Sequence, residues 1–334
     1  MNIFLPDGRS QTLEPGATGI ELARKLKNDV AGPALALKVN GQLKDLASPL
    51  QDGDQVQVLG FDDAEGKQVF WHSSAHLLAQ AVMRLFPAAE PTIGPAIEQG
   101  FYYDFANLSL HEADLERIEE AANQIVKERP EPQRLEYPTK AEALQVFGDN
   151  KFKKELIESF DEGTSAYRQG EFIDLCRGPH LPHLGLVQGF KVMRTSGAYW
   201  RGDAKNEQLT RIYGLSFPDK KMLKAHLTLL EEAQKRDHRL LGKQLGLFSF
   251  HQEGPGMPFF HPKGMVMWDE LMRYWDECHR RENYLKIKTP MMMGQELWET
   301  SGHWGYYREN MYVSEIENKA FVIKPMNCPG SLLF

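Results

Sequence analysis

The chain has 334 residues, 42% of them hydrophobic and 25% charged, with a formal net charge of -7, which is long enough to bury a sizeable core and to divide into two or three domains. No apolar run approaches the roughly 18 residues that cross a bilayer, and the opening "MNIFLPDGRS" lacks the basic and apolar segments of a secretory leader, so cytoplasmic residence is expected and a membrane partner is not. Three cysteines, Cys176, Cys278 and Cys328, are too few and too scattered for a disulfide framework.

From residue 1 to about 60, "NIFLPDG", "ALALKVNGQLKDL" and "DGDQVQVLG" read as short strands with Asp-Gly and Asn-Gly turns, and "TGIELARKL" as one helix, giving a small sheet packed on a helix. Residues 62 to 218 mix patterns. A helix is expected over 72–86, strands near "GFYYDF", a charged helix over 111–129, a Pro-rich turn over 130–138, and then the segment "EFIDLCRGPHLP". Residues 219–243 read as one long basic connector helix, with Asp219 as N-cap and Leu223, Leu227, Leu230, Leu240 and Leu241 as its apolar stripe. After it come a loop-rich stretch, the helix "GMVMWDELMRYWDECHRREN" and the strand "YLKIKTPMMM", stopped by Pro290. The architecture expected is α+β and multidomain.

Charge is unevenly spread. Residues 1–190 hold 18 Lys+Arg against 29 Asp+Glu, whereas residues 191–243 hold 12 against 6. A basic segment in an acidic chain suits either a solvated helix or a local phosphate-binding face. Lys220, Lys221, Lys224, Lys235, Arg236 and Arg239, together with Arg177, are the candidate phosphate contacts.

Two motifs carry chemistry. Cys176 and His180 lie four apart behind Asp174, but Gly178-Pro179 between them argues for a loop or strand end instead of a helical turn. His72 and His76 sit at i and i+4, on one face at the first turn of the expected helix. The zinc-protease signature is excluded, because Ser73 stands where that motif needs glutamate. If the four side chains converge, their types suit a tetrahedral zinc site, a polar substrate pocket or a capped turn.

The strings "SSAHLLAQA", "GFYYDF", "FIDLCRGPHLP", "GAYWRGD", "EEAQKRDHRLLGKQLGLF", "SGHW" and "IKPMNCPG", in this order, resemble threonyl-tRNA synthetase. The resemblance runs the length of the chain. It implies a ubiquitin-like β-grasp TGS domain over 1–61, an editing domain over 62–218, the connector over 219–243, and the N-terminal part of a class II antiparallel-sheet catalytic domain over 244–334. The activity implied for the intact family is ATP- and Mg-dependent ligation of threonine to threonine tRNA by a homodimer. Mischarged seryl-tRNA is hydrolysed in the editing domain without a cofactor.

Such a second sieve has a physical reason, since one methyl group discriminates by only about 1–3 kcal/mol. By the same resemblance His72 would activate water and Lys153 would be the second catalytic residue, with adjacent Lys154 as the other possible register. Asp174, Cys176 and His180 would bind the seryl group and the terminal adenosine, and His76 and Tyr103 would line the pocket. Cys328 matches one ligand of the zinc that holds threonine in the synthetic site, a site left incomplete here. His303 matches none of its ligands. Gly330 is followed by Ser331 where the family's motif usually has histidine, and the resemblance implies an incomplete aminoacylation half. Two other classes stay open: an RNA-binding module without turnover, and a zinc hydrolase unrelated to tRNA.

Overall fold

Short alternating segments pair at the N-terminus because each offers one apolar face. In the computed structural model, which describes residues 1–26 and 32–334, β1 (Asn2–Phe4) and β2 (Ser10–Thr12) pair antiparallel. After them come α1 (Gly19–Lys25) and a sheet of β3 (Ala36–Val39), β4 (Gln42–Asp45) and β5 (Val56–Leu59) in the order β4-β3-β5. Thr18 starts α1 with a capping box closed by Glu21. Asn40 and Gly41, at φ 51 and 84, form the tight β3–β4 turn that the Asn-Gly pair signals. Alternation then seats Leu37, Val39 and Val56 on Leu22.

The next element, α2 (Ala64–Leu85), begins eight residues before the expected helix, so His72 and His76 lie in its third and fourth turns and not its first. The early start follows from packing. Val69, Phe70 and Trp71 are buried, and Phe70 meets Phe61 edge-on at 4.9 Å. The helix is apolar nearly all round because other elements cover most of its surface. The elements that follow are β6 (Glu90–Pro91), β7 (Ala96–Ile97), β8 (Gly100–Ala106), α3 (Glu112–Glu128), β9 (Gln133–Tyr137), α4 (Lys140–Phe147), α5 (Lys151–Glu158), β10 (Thr164–Gln169), β11 (Phe172–Leu175), β12 (Gly189–Tyr199) and β13 (Gln208–Phe217), of which α3, β7, β8 and β13 pack most closely on it.

Two sheets result, one in the order β12-β13-β8-β6 with β7 on β8, the other β11-β10-β9. Leu77, Leu78 and Val82 of α2 are fully buried among them, each contributing about 1.5–3 kcal/mol. The Pro-rich turn expected over 130–138 is instead strand β9, because Gln133–Tyr137 find partners along β10.

The basic stretch expected as one helix is two. Asp219 caps α6 (Lys220–Lys235) through the Lys221 amide, and Asp237 caps α7 (His238–Leu245) through Arg239. The chain divides between them into two compact units, Met1–Lys235 and Arg236–Phe334. The second holds α7, β14 (Phe248–Ser249), β15 (Phe259–Phe260), α8 (Pro262–Arg281), β16 (Met292–Gly294), α9 (Gln295–Thr300), α10 (His303–Tyr307), β17 (Val313–Ile316), β18 (Lys319–Ile323) and α11 (Cys328–Leu332). Its antiparallel sheet runs β16-β18-β17, with Val322 of β18 and Trp298 of α9 fully buried. The strand expected before Pro290 is absent from residues 284–289, since no described strand lies beside them. Pairing starts at Met292, beyond the proline. No helix among the described residues is long and apolar enough to cross a membrane.

Candidate active site

Helix α2 presents His72 and His76 one turn apart, and β11 ends at Leu175 so that the chain turns through Cys176–His180 directly against them. The turn is not helical. The Cys176 amide donates to the Ser165 carbonyl at 3.0 Å and the Ser165 hydroxyl returns a bond to the Cys176 carbonyl at 2.8 Å. Gly178 has φ 69, and a Cβ there would lie 2.2 Å from the Tyr167 hydroxyl oxygen, so both backbone and space require glycine. The Gly178-Pro179 bond is cis.

The two motifs therefore meet. His72 Nε2 is 2.8 Å from Cys176 Sγ, and that sulfur is 3.3 Å from His180 Nε2. Ser73 completes the far side, its Oγ 3.1 Å from His180 Nδ1 while it accepts the Leu181 amide at 3.0 Å. The rings of His72, His76 and His180 pack with centroids 4.4 to 4.9 Å apart.

Beside the imidazoles lies a buried charge pair. Asn150 caps α5 by accepting the Phe152 and Lys153 amides. The buried face of that helix then carries Phe152, Lys153 and Ile157, while Lys154 is exposed. Lys153 forms an ion pair with Asp174 and donates to the Tyr103 hydroxyl at 3.3 Å, and that hydroxyl in turn donates to Asp174. Asp174 also lies 3.7 Å from His76 Nε2. Lys153, Asp174 and Tyr103 are at most 3% exposed, so the pair is dry and its geometry is fixed by partners on three elements.

Burial sets the protonation states. Desolvation holds His72 below the usual histidine range against the pull of Asp174. It holds His76 and His180 well below, helped by the neighbouring rings and, for His76, by Lys153. Desolvation also pushes the Cys176 thiol up to about 12, so it is a neutral S–H, and keeps Tyr103 protonated beside Asp174. With Cys176 held as S–H, His72 Nε2 faces it as an acceptor, a tautomer assigned from the network.

A cleft of about 880 Å³ opens onto this group, walled by His72, His76, Tyr103, Lys153, Asp174 and Cys176 together with Lys67, Gln68, Trp71 and Leu43. His180 is not in the wall. It is 1% exposed, with its Nε2 3.3 Å from Cys176 Sγ. Ser73, Lys67, Gln68 and Trp71 were not picked out by motif. Of these, Gln68 stands four residues before His72 on the same helix face, which is the signal that could have found it.

One potential ligand atom from each of His72, His76, Cys176 and His180 lies within 4.8 Å of the others, a donor set of the right type for a metal ion. Cys328 differs. It is exposed, and no other group of three or more histidine, cysteine or carboxylate ligands exists among the described residues. The residues present do not build the zinc site that the resemblance implies around it. Of the basic side chains on α6 and α7, Lys235 pairs with Glu232 and Arg239 with Asp237.

Residues 1–59 match the TGS domain, and residues 164–213 match the threonyl and alanyl tRNA synthetase second additional domain. A small strand-and-helix domain joined to an α+β body of that second type defines a chain of aminoacyl-tRNA synthetase class. Over 336 residues it is 56% identical to the threonine–tRNA ligase of Protochlamydia amoebophila (strain UWE25), covering 100% of this chain and 52% of that protein. The ligase of Desulforapulum autotrophicum is 49% identical over 334 residues, with the same coverage. The chain belongs to the threonyl-tRNA synthetase family, and it spans about half the length of the curated relatives it matches. A solved RNA-binding domain of threonyl-tRNA synthetase from Cryptosporidium parvum Iowa II shares 40% identity across 29% of this chain and 25% of that one. Its TM-score is 0.29, an overlap too slight to bear on the fold.

Proposed function

We propose that the cleft hydrolyses the ester of seryl-tRNA, removing serine wrongly attached to threonine tRNA. The carrying observation is a neutral imidazole, His72, in the cleft wall with the buried Lys153–Asp174 pair in the same wall. Water would lose its proton to His72 Nε2 and attack the ester carbon. The oxygen that becomes negative would be met by the Lys153 ammonium, and collapse would expel the ribose oxygen, which recovers the proton from the imidazolium. Asp174, Tyr103 and the Cys176 thiol supply polar groups for the seryl amino and hydroxyl, and His76 fills the wall between them. Cys176 is not needed as a nucleophile, because a thiol held near 12 stays protonated.

The test is a deacylation assay on the full chain with matched seryl and threonyl esters of one tRNA. Release of serine well ahead of threonine is expected. A seryl ester that survives at enzyme concentrations where the intact family clears it would sink the reading.

The four clustered donors support a second reading, metal-assisted hydrolysis in the same cleft. There His72, His76, Cys176 and His180 would hold zinc, whose chemistry is to polarise water or the ester. Zinc co-purifying in stoichiometric amount, with activity lost to a chelator, would favour it. An RNA-binding module without turnover predicts that neither ester is cleaved while tRNA is still bound. Cytoplasmic residence and the division into domains at 61, 218 and 243 belong to the same proposal, whereas ligation of threonine with ATP and Mg and homodimer formation are proposed for the intact family, about half of whose length this chain spans. All are supported by identity across the whole chain.

A further inference from the structure

The turn that carries Cys176 and His180 is held from outside its own domain. Asp45 is the last residue of β4, in the small N-terminal domain, and its carboxylate accepts the His180 backbone amide at 2.8 Å and the Tyr167 hydroxyl at 2.7 Å. The bonded residues are 135 and 122 positions away in the chain. Tyr167 is 1% exposed and stacks on the His180 ring with centroids 4.3 Å apart. From the other side Arg134 of β9 donates to the Tyr167 hydroxyl at 3.3 Å and to the Arg177 carbonyl at 2.7 Å. Leu43, two residues before Asp45 on the same strand, is part of the cleft wall.

We propose that Asp45 is a positioning residue for the hydrolytic cleft, so that the N-terminal domain fixes the turn on which the Cys176 thiol and the His180 ring are mounted. The physical case is one of constraint. Charge-assisted bonds are the stronger kind, and here one carboxylate fastens both the backbone at the end of the turn and the aromatic ring on which His180 stacks. Without it, the His180 amide loses its acceptor, and only the ring contacts to Ser73 and Cys176 still tie the residue to polar partners. Displacements of about 1 Å in such a group cost catalysis on the order of a hundredfold.

The activity arm rests on the hydrolytic reading above; the structural arm does not. In the full chain, Asp45→Ala should speed amide exchange in the peptide 176–186 at least tenfold while exchange in β3 and β5 stays as in the parent. It should also lower kcat for serine release between ten- and a hundredfold with KM moved less. Asp45→Asn recovers most of both, because its carbonyl still accepts the amide and its NH2 can donate to the Tyr167 hydroxyl. Asp52→Ala, which removes a carboxylate bonded to the Asn2 amide elsewhere in the same domain, is the control and should resemble the parent. Unchanged exchange at 176–186 in Asp45→Ala overturns the proposal, and so does faster exchange shared equally by β3 and β5, which would mean a merely structural role. If the parent chain releases no serine, the hydrolytic reading falls while the exchange arm still decides this one.

Discussion

His72 Nε2 and Cys176 Sγ, 104 residues apart in the chain, meet at 2.8 Å. That contact joins the middle of a nearly all-buried helix to a glycine turn at a strand end, and it places a neutral acceptor in the wall of the cleft. His72→Ala should therefore lower kcat for serine release by about 10²–10⁴, the usual contribution of a general base. Ester binding should change little. Equal activity in parent and variant, by single-turnover assay, would remove His72 from the mechanism.

The buried Lys153–Asp174 pair ties function to stability. Asp174→Ala leaves an ammonium without its partner in a dry site, which costs about 3–5 kcal/mol, or on the order of 10 °C in melting temperature for a body of this size. The double variant Lys153→Met/Asp174→Leu removes both charges and should recover most of that stability while remaining inactive. Calorimetry and the deacylation assay on the same samples separate the two effects. A double variant as unstable as the single one would refute the desolvation argument.

Much of this site was legible in the residues themselves. Histidines at i and i+4 and a Cys-Arg-Gly-Pro-His run announced ligand-capable groups, and Gly178-Pro179 announced a turn. The choice between Lys153 and Lys154 stayed open in the sequence; only the fold shows that Lys153 is buried on one helix face with Phe152 and Ile157 while Lys154 is exposed. The start of α2 was hidden because its first turns, "AEGKQ", have no apolar stripe, and the packing on Phe61 comes from Phe70 and Trp71 further along the helix. Strand β9 was hidden because its propensity is weak and β10 supplies the pairing. Asp45 left no local trace at all: its partners lie more than a hundred residues away and only the fold brings them together.

The imidazole group makes a pH prediction. His72, His76 and His180 all titrate below 6.5 in the folded chain because burial disfavours their charged forms. The unfolded chain therefore takes up these protons first, so folded stability is unaffected above about 6.5 and falls as pH drops below it. Melting temperature should be flat from pH 7 to 8 and decline between 6.5 and 5. The carboxylate of Glu171, held at about 2 chiefly by Arg84, loses its contribution only below the ordinary range near 4.5. Serine release should persist below pH 6.5 until His72 takes its proton. An acid limb centred above 6.5 would contradict a desolvated base.

Cys176 separates the remaining mechanisms. A thiol held near 12 by burial is thiolate to roughly one part in 10⁴ at pH 8, against about a tenth or more for an ordinary cysteine. Iodoacetamide at pH 8 should thus label exposed Cys328 quickly and Cys176 slower by on the order of a thousandfold, read by mass spectrometry of the two peptides. A zinc-bound thiolate would also resist labelling, so the metal content of the same sample is measured. Stoichiometric zinc favours the metal reading, and labelling as fast as Cys328 excludes a buried neutral thiol. Cys176→Ser then closes the question of covalent catalysis. A hydroxyl that merely holds substrate leaves serine release within about tenfold, whereas loss of a true nucleophile abolishes it.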